Sequence, residues 1–116
     1  MTDSTFWQSL EQMVEASDLM VDRPRGTAHP RYPSLIYPLD YGYLVGTSAF
    51  DGDGIDAWVG SLPDRTVTGI ICTVDLDQHD VEIKLLLGCT GQESQEALAT
   101  HNTGSQAGML IERASP

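Results

Sequence analysis

The chain has 116 residues and a formal net charge of −11, with 17 acidic against 6 basic side chains. This length fits one compact domain, residues 1–116, with its own apolar core. Nucleic acid and anionic membranes both require clustered Lys and Arg, so the charge argues against both as partners. No apolar run is long enough to span a bilayer.

The first part of the chain predicts a helix and a short strand. Apolar residues recur at helical spacing over residues 4–17, which predicts an amphipathic helix for packing or an oligomer contact. A short strand follows at residues 19–21. The N-terminus has no basic segment followed by an apolar one, and the two cysteines are too few for a disulfide scaffold. Both features predict a cytoplasmic protein.

Residues 22–34 contain three prolines and predict an extended loop. Arg23, Arg25 and Arg31 lie in this loop and could form an anion clamp, or they could offset neighbouring acids on the surface. A short strand is predicted at residues 35–37, and a turn beside a further strand at residues 38–43. Tyr37 and Tyr41 could donate hydroxyl hydrogen bonds to an anion, although alternating tyrosines are also typical of packing.

Three carboxylates fall within six residues at Asp51, Asp53 and Asp56, where a strand over residues 55–60 is predicted to begin. Like charges this close repel one another, so at least one carboxylate would be protonated unless a cation is present. Mg²⁺ suits oxygen ligands better than Zn²⁺ does. Ordinary turn chemistry is the alternative, because Asp and Gly are common in turns. An EF-hand is excluded, since position 12 counted from Asp51 is Leu62 and not Glu.

Two more strands are predicted at residues 66–74 and 81–87, joined by a polar turn. Alternation places Glu82 and Lys84 on one face of the second strand, opposite four apolar residues. This face could point towards the carboxylates of residues 51–56, or it could be a solvated face that carries a charge pair. Thr90 and Glu93 form a capping-box pattern that predicts a helix to about residue 100, and a last strand is predicted at residues 109–111. This order predicts a mainly β, α+β fold, a small barrel with helices packed outside.

Four segments, in this order along the chain, resemble motifs of the family I soluble inorganic pyrophosphatases. Residues 22–27 with Arg31 and Tyr32 are similar to E-x-P-[KR]-G-[ST] followed by K-Y-E. Residues 37–43 resemble Y-P-x-N-Y-G-[FY], and residues 51–56 resemble D-x-D-P-x-D. Residues 77–84 are similar to D-(x)4-D-x-K. Four motifs in the right order are far more specific than one alone.

The resemblance implies a five-stranded, OB-like β-barrel with flanking helices, and self-association into a homo-oligomer. It also implies Mg²⁺-dependent hydrolysis of pyrophosphate to two phosphates, with Mn²⁺ as a possible substitute. The metal ligands that it implies are Asp51, Asp56, Asp77 and Glu82. It further implies Asp53 as the acceptor of the water proton, Tyr41 as a site tyrosine, Asp22 at the edge of the site, and Arg31 and Lys84 on the phosphates. Arg23 could match the arginine of the missing hairpin, Arg25 could compensate for it, and Tyr37 is a further candidate site residue.

The chain also departs from the family pattern. Gly54 replaces the signature proline, and Glu82 replaces an aspartate. A hairpin with its arginine is missing before Tyr37, and the segment after His101 lacks the family's Tyr and Lys. The metal half of the site is therefore largely complete, while the phosphate half is thinned. Three functions stay open: a pyrophosphatase, a phosphohydrolase acting on another phosphoanhydride such as a nucleotide, and a non-catalytic metal- or anion-binding relative.

Overall fold

A computed structural model of the chain describes residues 2–49 and 53–114. In this part of the chain there are two helices and six strands: α1 (Thr2–Glu15), β1 (Leu19–Arg23), β2 (Asp40–Leu44), β3 (Ile55–Val59), β4 (Val67–Asp75), β5 (Asp80–Leu87), α2 (Gly91–Thr100) and β6 (Gln106–Glu112). No helix in the described ranges has the length and apolar character needed to cross a bilayer.

The strands form a single mixed sheet in the order β1-β2-β3-β5-β4-β6. β3 and β5 are parallel neighbours, and the other pairs in the described sheet are antiparallel. The α+β prediction is confirmed. The sheet has six strands where five were expected, and β1 and β6 are its two edges. It is not closed within the described residues, so the predicted barrel is not confirmed.

One predicted strand does not form. Residues 35–37 were expected to be a strand, but Ile36 makes only an isolated bridge with Ala28. The reason lies in the preceding loop, which folds back on itself: the Leu35 N–H donates to the Tyr32 carbonyl 2.9 Å away, and the Tyr37 N–H donates to the Thr27 carbonyl. The bond from Tyr37 belongs to the Ala28–Ile36 bridge itself, while the Leu35 N–H closes a turn, so the pairing stops at this one bridge.

Each face of the sheet is covered by one helix. On the α1 face, buried apolar side chains pack around Trp7: Leu44, Ala57, Val67, Ile70, Leu85 and Leu87. On the α2 face, a second cluster packs around Trp58: Tyr37, Leu39, Ile71, Leu86, Cys89 and Ala97. Neighbouring residues of a strand point to opposite faces, so β3 and β5 supply both clusters.

Part of the expected apolar face of β5 lies outside the core. Val81 and Ile83 are 61% and 45% exposed, although they share the apolar face of the strand with Leu85 and Leu87. Of these four residues of β5, only Leu85 and Leu87 belong to the cluster around Trp7. Since α1 covers one end of this face, the outer end of the β4–β5 hairpin keeps its apolar residues in solvent.

The capping box of α2 forms as predicted. The Glu93 N–H donates to Thr90 Oγ1 at 3.2 Å, and the Thr90 N–H donates to Glu93 Oε1 at 2.9 Å. The same Glu93 oxygen accepts from the Ser61 N–H at 3.1 Å. These bonds lower the pKa of the Glu93 carboxyl, and they tie the start of α2 to the segment that follows β3.

Candidate active site

The parallel pairing of β3 with β5 brings two predicted carboxylates to one lysine. Ala57 lies opposite Leu85 in this pair, so Asp56 and Lys84 are neighbours on the α2 face. Lys84 Nζ donates to Asp56 Oδ2 at 2.7 Å and to Glu82 Oε1 at 3.1 Å. The Lys84 side chain is 8% exposed. We call Asp56, Glu82 and Lys84 the carboxylate–lysine centre.

Charge and burial oppose each other in this centre. Burial lowers the pKa of Lys84, but Asp56 and Glu82 outweigh this effect and raise it overall, so the ammonium stays charged. Burial raises the pKa of the Glu82 carboxyl, and Lys84 offsets part of that rise. Two carboxylates therefore share one buried positive charge. The centre is left with an excess of negative charge, which favours binding of a further cation.

Two tyrosines adjoin the centre. Burial raises the pKa of Tyr41 well above its ordinary value, and the charge of Asp56 and a hydrogen bond to it raise it further. The Tyr41 phenol therefore stays protonated and donates to the Asp56 carboxylate. Burial also raises the pKa of Tyr37, partly offset by a hydrogen bond from Arg23. Tyr41 thus bonds a carboxylate of the centre, while Tyr37 bonds Arg23.

The clustered arginines do not all lie in the same place. Arg23 ends β1 and contacts Tyr37. Burial lowers the pKa of His29, and the positive charges of Arg23 and Arg31 lower it further, so both arginines lie near this histidine. Arg25 is in the exposed loop, where its N–H donates to Asp40 Oδ1 at 2.8 Å. Asp22 is exposed, and its charge acts on Tyr37.

The other predicted carboxylates are spread along the chain. Asp51 lies outside the described residues. Asp53 is exposed in the β2–β3 connection, where its carbonyl accepts from the Ala49 N–H at 2.7 Å. Asp77 is in the exposed β4–β5 turn, and its N–H donates to Asp75 Oδ1 at 3.0 Å. In the described residues, no hydrogen bond or ion pair joins Asp77 to the carboxylate–lysine centre.

The centre offers a partial fit to a divalent cation. Across residues 2–49 and 53–114, no group of three or more His, Cys, Asp or Glu is arranged to hold a metal ion. Asp56 and Glu82 do converge on a single point, the Lys84 ammonium. Carboxylate oxygens are the ligands that Mg²⁺ prefers. These two residues fit such an ion, and further oxygen ligands would have to come from elsewhere.

The glycine at the position of the family proline has a structural reason. A Cβ at Gly54 would lie 2.8 Å from the Leu44 carbonyl oxygen and 2.8 Å from Tyr43 Cδ2. Real Cβ atoms do not approach other atoms so closely, so a proline would displace β2 from its place beside β3. Gly54 allows the chain to enter β3 in register with β2.

A buried histidine network behind the centre was not predicted from the sequence. Trp58 Nε1 donates to His101 Nε2 at 2.9 Å, and His101 Nδ1 lies 2.8 Å from Gln106 Oε1. Since an indole N–H can only donate, Nε2 accepts and Nδ1 carries the proton. Burial lowers the pKa of His101 to about 4. Trp58 lies two residues after Asp56 in β3, so the two side chains point to the same face of the sheet. This spacing was the one signal in the sequence that Trp58 lies on the face of the carboxylate–lysine centre.

Comparisons with known proteins give both sequence and structural relatives. No family model matches the chain. Inorganic pyrophosphatases of Geobacillus stearothermophilus and of Bacillus sp. (strain PS3) are each 35% identical over 60 residues, 45% of this chain and 36% of the relative. The matched region thus spans about a third of the length of these curated relatives.

A solved inorganic pyrophosphatase from Coxiella burnetii has a similar fold. The TM-score is 0.58, at 13% sequence identity, over 81% of this chain and 82% of that one. At this identity the likeness establishes the fold alone. The chain is thus an α+β domain whose fold is similar to that of this pyrophosphatase. The fold and the partial sequence match thus both make the chain similar to inorganic pyrophosphatases.

Proposed function

We propose that this chain hydrolyses inorganic pyrophosphate to two phosphates with Mg²⁺, or Mn²⁺ in its place, as cofactor. The observation that carries the proposal is the carboxylate–lysine centre, in which Lys84 is bonded to Asp56 and Glu82 at 2.7 and 3.1 Å. The pyrophosphatases that match the chain in sequence support the choice of substrate. We further propose a homo-oligomer that works in the cytoplasm on this small-molecule substrate.

The proposed metal ligands are Asp56 and Glu82, joined by Asp51 and Asp77. A bound divalent ion would offset the negative charge of the substrate and lower the pKa of the attacking water. The protein needs such an offset, because its net charge of −11 repels pyrophosphate. Lys84 alone does not supply it, since two carboxylates already share its charge.

The remaining residues position the substrate and take the proton. Lys84, Arg31, Arg23 and Arg25 are proposed to bind the phosphate oxygens, and the Tyr41 hydroxyl to donate to one of them. Water attacks one phosphorus, the bridging P–O bond breaks, and the bridging oxygen leaves with the second phosphate. Asp53 accepts the proton of the attacking water. Phosphoryl transfer depends mainly on such positioning and charge neutralisation.

Phosphate release from pyrophosphate, measured with and without Mg²⁺, tests the proposal. We expect metal-dependent release by the wild type and a loss of about 100-fold or more in Asp53→Asn, the size that a general base contributes. Asp56→Asn should raise the Mg²⁺ concentration needed for half-maximal rate. Asp64→Asn is the matched control, because Asp64 is an exposed aspartate in the β3–β4 connection.

Two results would contradict the proposal. If the wild type releases no phosphate above background with either metal, the chain is not a pyrophosphatase, and a binding role becomes the better description. If Asp53→Asn keeps full activity while Asp56→Asn loses it, the hydrolysis stands and the proton acceptor is another group.

A further inference from the structure

A cavity of about 500 Å³ opens beside the carboxylate–lysine centre. Lys84, Tyr41 and Trp58 line its inner end, and His29 and Tyr32 line its outer end. Cavities of this size are typical of organic ligands several times larger than a phosphate ion. The cavity therefore has room for more than the two phosphates of the proposed substrate.

Aromatic rings connect the centre to the protein surface along one wall of this cavity. Ring centroids are 5.7 Å apart between Tyr41 and Tyr37, 6.0 Å between Tyr37 and His29, and 5.1 Å between His29 and Tyr32. The rings of Tyr37 and His29 are nearly parallel, at 10°. Tyr41 contacts Asp56 at the inner end, and Tyr32 is 56% exposed at the outer end.

Pyrophosphate gives no reason for such a wall, because it has no flat or apolar surface to place against a ring. Aromatic side chains stack on flat rings, and any nucleobase has a suitable face. The connection from Tyr32 to Tyr37 consists of only four residues, where the family resemblance implies a hairpin. A short connection leaves the outer rings accessible from the cavity.

The charges are distributed to suit a ligand with two different ends. Lys84 lies at the inner end, and Arg23, which is not among the lining residues, bonds the side chain of Tyr37, which is. Arg31 lies near His29. Phosphate groups would lie between Lys84 and Arg23, while a planar group would lie farther out on His29 and Tyr32. A nucleotide has its phosphates and its base at opposite ends in this manner.

We propose that the cavity binds a nucleoside 5′-diphosphate, with the diphosphate at Lys84 and Arg23 and the base stacked on His29 and Tyr32. This inference rests on the proposed function, because both substrates use the same centre for cleavage. Water bonds to the terminal phosphorus, the phosphoanhydride bond breaks, and its bridging oxygen leaves with the nucleoside monophosphate. Asp53 receives the water proton, as with pyrophosphate.

Binding of two stable analogues separates the base from the phosphates. Adenosine 5′-(α,β-methylene)diphosphate and methylenediphosphonate share the same non-hydrolysable diphosphate, and only the first has a base. Titration calorimetry on the full chain with Mg²⁺ should give about tenfold tighter binding of the adenosine compound, the size of one stacking contact. Tyr32→Ala should remove most of this difference, and Tyr32→Phe, which keeps the ring, should retain it.

The controls distinguish this inference from the proposed function. Phe6→Ala removes an exposed ring from α1 and should leave both affinities unchanged. Tyr32→Ala should hydrolyse pyrophosphate at the wild-type rate. Equal affinities for the two analogues, or an equal loss of both in Tyr32→Ala, would overturn the base site even if pyrophosphate is hydrolysed. Tyr32-dependent binding of the adenosine compound without pyrophosphate hydrolysis would support the base site and refute the proposed function alone.

Discussion

The two faces of the sheet are built from the same strands, but one carries an apolar core and the other carries the charged centre. On β3, Ala57 points to the α1 face, while Asp56 and Trp58 point to the α2 face. On β5, Leu85 is buried under α1, while its neighbour Lys84 bonds two carboxylates on the other side. The period-two alternation of a strand thus lets one sheet hold an apolar core and a charged centre back to back.

The two faces differ in what they require of their residues. Apolar contacts are non-directional, so the α1 face needs volume and shape. The charged groups of the α2 face need specific partners, because an unpaired buried charge is costly. The α1 face should therefore govern stability alone, and the α2 face should affect stability and chemistry together. Substitutions at adjacent residues of β5 can separate these effects.

The largest loss of stability is expected for Leu85→Ala. Leu85 is fully buried in the cluster around Trp7, so truncation removes apolar contacts and leaves a cavity. We expect the free energy of unfolding in urea to fall by about 4 kcal/mol. Val81→Ala is the control on the same strand and face, and its exposed side chain should cost less than about 1 kcal/mol.

Pyrophosphate hydrolysis by the folded fraction of Leu85→Ala should equal that of the wild type. A rate per folded molecule that fell together with stability would show that the two faces are coupled, and the comparison between them would fail. The assay should be run well below the unfolding midpoint of the variant, so that the unfolded chain does not contribute.

A smaller loss of stability, with loss of function, is expected for Lys84→Met. This change keeps most of the side-chain volume but leaves Asp56 and Glu82 facing each other without their shared cation. Removal of one partner of a buried ion pair lowers the free energy of unfolding by about 3 kcal/mol. We expect that decrease in urea unfolding, with part of it restored by Mg²⁺, which can replace the missing positive charge.

A double-mutant cycle with Glu82→Gln sharpens this test. In the Lys84→Met background, Glu82→Gln should be stabilising, because it removes one of two repelling charges. In the wild-type background this gain should be smaller or reversed, because the change also removes a partner of the ammonium. The same effect of Glu82→Gln in both backgrounds would mean that Lys84 and Glu82 act independently, against the 3.1 Å contact between them.

Local patterns in the sequence predicted much of the fold. Alternation and β-branched residues located β4 and β5, and the Thr90–Glu93 pattern located the start of α2. The predicted strand at residues 35–37 was wrong because this segment pairs with the preceding loop in a single bridge, Ala28 with Ile36, and the Leu35 N–H closes a turn. The order of the strands in the open sheet depends on long-range pairing, which local patterns do not contain.

The centre could be anticipated in part. Alternation placed Glu82 and Lys84 on one face, and the family motifs linked them to Asp56. Their actual contact depends on the parallel pairing of β3 with β5. The hydrogen bond between Trp58 and His101 joins residues 43 positions apart, on a strand and at a helix end. The sequence has no periodicity that relates two such residues, so this network emerged only from the fold.

His101 gives the smallest and most selective expected effect. Its neutral form accepts from Trp58 and donates to Gln106, so protonation of Nε2 would break the bond to Trp58. Burial holds its folded pKa at about 4, below the ordinary 6.5 of the unfolded chain. The unfolded state then binds more protons in this interval, and stability must fall as the pH falls from 6.5 towards 4.

Between pH 7 and pH 5 the His101 contribution to the free energy of unfolding should decrease by about 2 kcal/mol. His101→Gln isolates it, because an amide can accept from Trp58 and donate to Gln106 without titrating. Urea unfolding at both pH values should show the extra acid sensitivity in the wild type alone. An equal pH dependence in the two proteins would mean that His101 is not held neutral by the fold. The Trp58 hydrogen bond would then be too weak to order the wall behind Tyr41 and the carboxylate–lysine centre.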